Sequence, residues 1–225
     1  MQTGPYPHLT LPEDAVQVWH VFLIQPETVR QRLEQILSTD ERARASKFYF
    51  ERDKRGFIVG RGMLRMLLGA YLNIAPERLH FCYGDHGKPA LVHKRDDGKI
   101  LHFNVSHTKE LAVFAFSWNR ELGVDVEYIH TMRDADSIAK RFFSASEYEV
   151  LQTLPASQKM QGFFNCWTRK EAYLKALGDG LARPLDEFEV SLLPGEAASL
   201  LHVAGRPEET SRWRLEAFTP APGSV

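Results

Sequence analysis

Apolar residues recur along this chain with two different periods, and the changes of period mark its elements. AVQVWHVFLI (15–24) reads as a strand. Pro26 then opens ETVRQRLEQIL, where Val29, Leu33, Ile36 and Leu37 fall on one face of a helix. Ser38, followed three residues later by Glu41, fits a capping box for a short helix in TDERARASKFYF. Phe57, Ile58, Met63, Leu64, Leu67, Leu68 and Tyr71 predict a longer helix over 54–72. GDHGKP (84–89) and RDDGK (95–99) carry turn chemistry. LHFNVS and ELAVFAFSW (101–118) read as strands joined by a short HTK turn, and LGVDVEYI (122–129) as the next strand. Ser144 and Glu147 fit a second capping box, opening a helix that ends near Pro155. A long helix follows from Ser157 to Leu177 and stops at Gly178, and EFEVSL and RWRLEAF supply late strands.

The pattern predicts an α+β fold. It also contains a faint internal echo: GRGMLRMLLG (60–69) and TRKEAYLKALG (168–178) are both basic, helical and glycine-terminated. Such an echo fits two similar α+β halves, 1–118 and 119–225, with a cleft between them. Composition agrees with a folded protein, at 44% hydrophobic and 25% charged residues over 225. The net charge of −1 gives a nucleic-acid partner no support, so any polyanion needs a local basic patch. No apolar run approaches a membrane span, and the N-terminus lacks the basic-then-apolar order of a signal peptide. Cys82 and Cys166 fit no metal spacing and read as reduced thiols, which points to the cytoplasm.

LGVDVEY places Asp125 and Glu127 on one face of an extended segment, with Cα atoms roughly 7 Å apart, and Val124 and Val126 on the other. Two carboxylates at that separation converge on one hard cation if a third ligand arrives from elsewhere. Glu171 is the candidate: Phe164, Trp167, Glu171 and Leu174 share a helix face, and a carboxylate in an apolar stripe is costly unless paired or metal-bound. The competing reading is an ordinary Glu171–Lys175 pair at i,i+4. Ser106-His107 ends a strand, Lys88 lies in the Gly87-Lys88-Pro89 turn, and Arg44, Arg55 and Arg61 belong to the densest basic stretch. Each of these alone also fits a solvated surface.

Taken in order, these segments resemble the Sfp-type 4′-phosphopantetheinyl transferases over roughly residues 38–192. The resemblance runs through GKP (87–89), FNVSH (103–107), LGVDVE (122–127), RFFSASEYEVL (141–151) and WTRKEAYLKALGDGL (167–181). It implies a pseudo-two-fold pair of similar α+β halves with the active site in the cleft. It also implies Mg²⁺-dependent transfer of 4′-phosphopantetheine from coenzyme A to a serine of an apo carrier protein, releasing 3′,5′-ADP. Carried over by motif, Asp125, Glu127 and Glu171 hold Mg²⁺ (or Mn²⁺), and Lys175 binds phosphate. Lys88 and His107 contact the 3′-phosphate or adenosine end with Ser106 beside them, and Arg44 is a further phosphate contact. Glu41 stands where relatives carry a lysine, so Arg55 or Arg61 is expected to replace that contact. Glu171 is the expected general base.

Phe142, Phe143 and Tyr148, with Arg141, are candidates for the carrier-docking surface, against a competing role in the core. The expected protein is a monomer whose partners are coenzyme A and apo acyl, peptidyl or polyketide carriers. The chain ends at FTPAPGSV, where relatives continue into a final small-residue strand. The rival readings are another Mg²⁺-dependent phosphoryl-transfer enzyme, a non-catalytic coenzyme A- or carrier-binding module, and a Cys166 thiol enzyme. The last is weak, because nothing nearby in the sequence lowers the pKa of Cys166.

Overall fold

A computed structural model describes residues 8–84, 87–92, 97–178 and 183–225. The chain divides into two compact units, Met1–Leu122 and Gly123–Val225. Parts of the expected turns at 84–89 and 95–99, and the end of the 167–181 segment, lie outside the described residues.

In the first unit, β1 (Val16–Phe22), β4 (Leu101–Thr108) and β5 (Leu111–Trp118) form an antiparallel sheet in the order β1-β5-β4. A separate hairpin pairs β2 (Phe81–Tyr83) with β3 (Pro89–Leu91). Every residue of β5 is buried, which explains why LAVFAFSW shows an apolar run instead of alternation. Against this sheet packs α3 (Glu51–Leu72), with Leu64, Leu67, Leu68 and Tyr71 meeting Phe103, Phe114 and Phe116. On the other side of α3, Ile58 and Val59 form a second cluster with Leu33 and Leu37 from α1 (Glu27–Gln35) and its exit, and with Ala45 from α2 (Thr39–Ala45). Gly62 permits that packing, since a Cβ there would come within 2.6 Å of the Leu33 Cβ.

The second unit is mostly helical. Its helices α4 (Ala135–Phe142), α5 (Ala145–Thr153) and α6 (Ala156–Leu177) enclose Phe143, Leu151, Phe163, Phe164 and Leu174. The hairpin β6 (Phe188–Val190) and β7 (Leu200–Val203) closes this core, followed by α7 (Glu209–Arg212). RWRLEAF, expected as a strand, is not one: α7 ends inside it, and the remainder forms no ladder. LGVDVEYI is not a regular strand either. It is extended, and its backbone pairs with the last residues of the chain: Glu127 and Val225 exchange two hydrogen bonds of 2.9 Å, and Ile129 N–H donates to Gly223 at 2.9 Å. Only the isolated bridge Tyr128–Ser224 registers as β pairing. The expected division of faces survives this correction, with Val124 and Val126 buried and Asp125 and Glu127 half-buried.

Both expected capping boxes form, and each leads to a buried ion pair. In the first unit the Glu41 carboxylate accepts from Ser38 N–H at 3.0 Å and from Arg65 Nε at 2.6 Å. Arg65 also donates to the carbonyls of Pro76 (2.7 Å) and Leu79 (3.1 Å), and its guanidinium lies over Phe81. In the second unit Glu147 accepts from Ser144 N–H and Val190 N–H, both at 2.8 Å, and lies 2.8 Å from Lys170 Nζ. Lys170 donates to the carbonyls of Leu185 and Phe188, and its ammonium lies over the Phe188 ring. A capping-box glutamate paired with a buried cation of the following long helix thus occurs in each unit. Helix α3 reaches Leu72, as its apolar spacing predicts, and is capped by left-handed Asn73 (φ 55°), as α6 is capped by Gly178 (φ 78°).

Side chains of Lys170 and Glu147 are 0% and 2% exposed. Removing one partner strands the other charge in the core, so Lys170→Met is expected to destabilise the protein by about 3–5 kcal/mol. Paired with Glu147→Gln, the same substitution recovers part of that loss. Urea denaturation of the two single variants and the double variant measures the coupling.

Candidate functional site

Four ionisable side chains of the second unit gather where the extended 123–127 segment passes α6. Gly123 permits the approach: a Cβ on it would lie 2.0 Å from the Ala172 carbonyl oxygen and 2.4 Å from Ala176 N. With the backbone lying directly on the helix, Asp125 comes within reach of side chains from the last turns of α6. Lys175 Nζ donates to Asp125 Oδ1 at 2.6 Å, although the two residues are 50 apart in sequence. The i,i+4 spacing with Glu171 is thus not the whole of what Lys175 does: it is bonded to Asp125 as well as electrostatically coupled to Glu171.

Glu171, one turn before Lys175, is half-buried. Burial pushes its carboxyl above the ordinary carboxylate range, the negative charges of Asp125 and Glu127 push it further, and Lys175 pulls it down. The expected trio of acids is therefore electrostatically coupled, with one cation among them. Among the described residues no three His, Cys, Asp or Glu side chains stand close enough to hold a metal ion as arranged. Lys175 already places a positive charge on Asp125, where it relieves the repulsion between the carboxylates. In donor chemistry, all three acids offer hard carboxylate oxygens, the type that Mg²⁺ selects. Trp167 sits one turn further back on α6 and stacks on Phe163, with ring centroids 6.2 Å apart and planes 12° apart.

The remaining candidates lie in the first unit and are distributed over several elements. Ser106 and His107 are neighbours on β4 and point apart, Ser106 buried and His107 exposed. Lys88, just before β3, donates to Glu121 Oε2 at 3.1 Å, and His102 Nδ1 lies 3.2 Å from the other oxygen of the same carboxylate. His102 and Glu121 went unnoticed in the sequence. The available signal for His102 was period two along LHFNVS, which puts it on the Ser106 face of β4. Arg44 is exposed, with its guanidinium 5.3 Å from the Phe57 ring centroid. Arg55 is exposed and pairs with Glu51 at 3.1 Å. Arg61 is mostly buried between Glu41, at 3.6 Å, and the Phe81 ring, at 5.1 Å.

Of the docking candidates, Phe143 is core, 5.4 Å from Phe163 between centroids, while Phe142 and Tyr148 remain partly exposed. No helix among the described residues is long and apolar enough to cross a membrane.

Comparison with known proteins covers both units. Residues 121–222 match the model of the 4′-phosphopantetheinyl transferase superfamily, and residues 25–119 match the model for the N-terminal part of 4′-phosphopantetheinyl transferases. The chain is 47% identical over 194 residues to 4′-phosphopantetheinyl transferase HetI of Nostoc sp., covering 86% of this chain and 81% of that one. It is 31% identical to a 4′-phosphopantetheinyl transferase of Bacillus pumilus, with 79% and 74% covered. It is 27% identical to 4′-phosphopantetheinyl transferase Sfp of Bacillus subtilis, with 79% and 77% covered.

The close passage at Gly123 gives a direct test of how the site is assembled. Gly123→Ala forces the 123–127 segment off α6 and is expected to lower stability by about 1–3 kcal/mol, as overpacking does. Gly56→Ala, whose Cβ would lie 3.7 Å from Leu23 inside α3, is expected to be neutral or stabilising by up to about 1 kcal/mol. Urea midpoints of the two variants make the comparison.

Proposed function

The chain belongs to the 4′-phosphopantetheinyl transferase superfamily, and on that premise we propose that it transfers 4′-phosphopantetheine from coenzyme A to the serine hydroxyl of an apo carrier protein. The serine oxygen forms a bond to the phosphorus bearing the pantetheine arm. The bond from that phosphorus to the bridging oxygen of the pyrophosphate breaks, and 3′,5′-ADP leaves. The observation that carries the reading is the coupled cluster of Asp125, Glu127, Glu171 and Lys175.

Glu171 accepts the serine proton in this reading. Burial and two neighbouring acids raise its carboxyl, and it stands beside the cluster in which the phosphates would be held. Lys175, 30% exposed, is positioned to exchange part of its contact with Asp125 for a phosphate oxygen. Its charge then opposes the negative charge that accumulates on the leaving pyrophosphate oxygen. Asp125, Glu127 and Glu171 are the residues that would hold Mg²⁺. When bound, the ion supplies charge neutralisation and orientation of the pyrophosphate oxygens.

In the first unit, Lys88, Ser106 and His107 serve the phosphorylated adenosine end, with Arg44, Arg55 and Arg61 as further cationic contacts. Arg61 is the most constrained of these by Glu41 and Phe81. The carrier docks on the partly exposed Phe142 and Tyr148, with Arg141 offering charge to an acidic partner. A monomer working in the cytoplasm is consistent with this role.

The class of reaction is tested by incubating the purified protein with coenzyme A, Mg²⁺ and an apo carrier, read by intact mass. The carrier gains one phosphopantetheine, EDTA abolishes the gain, and added Mg²⁺ or Mn²⁺ restores it. No gain with several carriers would sink the assignment. The role of Glu171 is tested separately. Glu171→Gln is expected to lower kcat by at least about 100-fold, the lower range for loss of a general base. Near-normal turnover in that variant would place the base elsewhere.

A further inference from the structure

Glu121 lies after β5 and close to the end of the first unit, outside every motif that carried the family resemblance. Both its carboxylate oxygens face a nitrogen, each from a different element. Oε2 accepts from Lys88 Nζ at 3.1 Å, beside β3, and Oε1 lies 3.2 Å from Nδ1 of His102, on β4. A lysine ammonium bonded to one oxygen and an imidazole nitrogen close to the other, brought in by separate elements, make an arrangement in which a phosphate can also be held.

Exposure separates the partners. The Lys88 and His102 side chains are 24% and 23% exposed, whereas that of Glu121 is 54% exposed. The donors are seated in the fold, and the carboxylate reaches them from the solvent side. An ion pair that open to water is worth at most about 1 kcal/mol, so an incoming dianion can displace it.

We propose that Glu121 is an internal competitor for an anion site formed by Lys88 and His102, and that it sets the affinity of this protein for the phosphorylated end of its nucleotide substrate. The inference rests on the reading of Lys88 as a contact to the 3′-phosphate. It adds His102 as the second donor and gives Glu121 a role opposite to that of a positioning residue. While Glu121 occupies the donors, the site is neutralised. When a phosphate enters, the carboxylate turns outward, because two anions on the same two donors repel each other.

The test measures Kd by calorimetry for 3′,5′-ADP and 5′-AMP, which differ by the 3′-phosphate, along with KM for coenzyme A. Glu121→Gln is expected to tighten 3′,5′-ADP about two- to fivefold, the scale of one partly exposed ion pair, with 5′-AMP unchanged. The KM for coenzyme A falls in parallel. Lys88→Ala and His102→Ala weaken 3′,5′-ADP and leave 5′-AMP unchanged. Weaker or unchanged 3′,5′-ADP binding in Glu121→Gln overturns the proposal, and a weaker value would make Glu121 a positioning residue. If Lys88→Ala leaves 3′,5′-ADP binding unaltered, the reading of Lys88 fails, and the proposal falls with its premise. An unaffected His102→Ala overturns the two-donor site. Thermal melts of all three variants confirm that each is folded.

Discussion

A buried carboxylate joined to a buried cation holds each unit together. Glu147 and Lys170 are almost wholly removed from water, which is tolerable only because every charge finds several partners. Lys170 has one carboxylate and two backbone carbonyls; Glu147 has the ammonium and two backbone N–H groups. These contacts tie the entry of α5, the middle of α6 and both ends of β6 into one network. Sliding α6 by a single residue would break all three contacts of Lys170 together. The next residue along α6 is Glu171, so the network that fixes the helix also fixes the place from which that carboxylate extends.

The same frame recurs in the first unit, with Arg65 in place of Lys170 and Glu41 in place of Glu147. When the start of α3 at Glu51 is set on the start of α6 at Ala156, Arg65 falls on Lys170 and Asn73 on Gly178. In that register Met66 falls on Glu171 and Ala70 on Lys175. Those two positions carry no ionisable side chain in the first unit. Cys166 falls on Arg61, and each borders the capping carboxylate of its unit. Burial raises the Cys166 thiol well above its ordinary range and the Glu147 charge raises it further. That thiol belongs to the core packing and offers no nucleophile, which removes the thiol-enzyme reading.

Local pattern made much of this visible in advance. Both capping boxes, both long helices, β4 and β5, and the shared face of Asp125 and Glu127 follow from spacing alone. What failed depended on distant partners. The 122–129 segment is apolar and alternating like a strand, but its pairing partner is the last three residues, GSV, which carry no strand signal of their own. Lys170 reads in sequence as one more cation beside Glu171. Its burial becomes apparent only once Glu147, from another helix, is placed against it. Glu121 belonged to no pattern at all, since its significance comes entirely from two donors brought in by β3 and β4.

These ion pairs divide by burial into two kinds with different uses. Arg65 and Lys170 are saturated by carboxylate and carbonyl oxygens and 0–1% exposed, so giving up a partner would leave a charge uncompensated in the core. They suit permanent structure. Lys175 and Lys88 are 30% and 24% exposed, and of their carboxylate partners Glu121 is 54% exposed while Asp125 is only 7% exposed. Water reaches both cations, so an incoming phosphate can share them, provided that Asp125 keeps part of its bond to Lys175. Chemistry that must admit and release a polyanion needs cations of the second kind, carried on elements that cations of the first kind hold still. Lys170 and Lys175 provide both on a single helix, five residues apart.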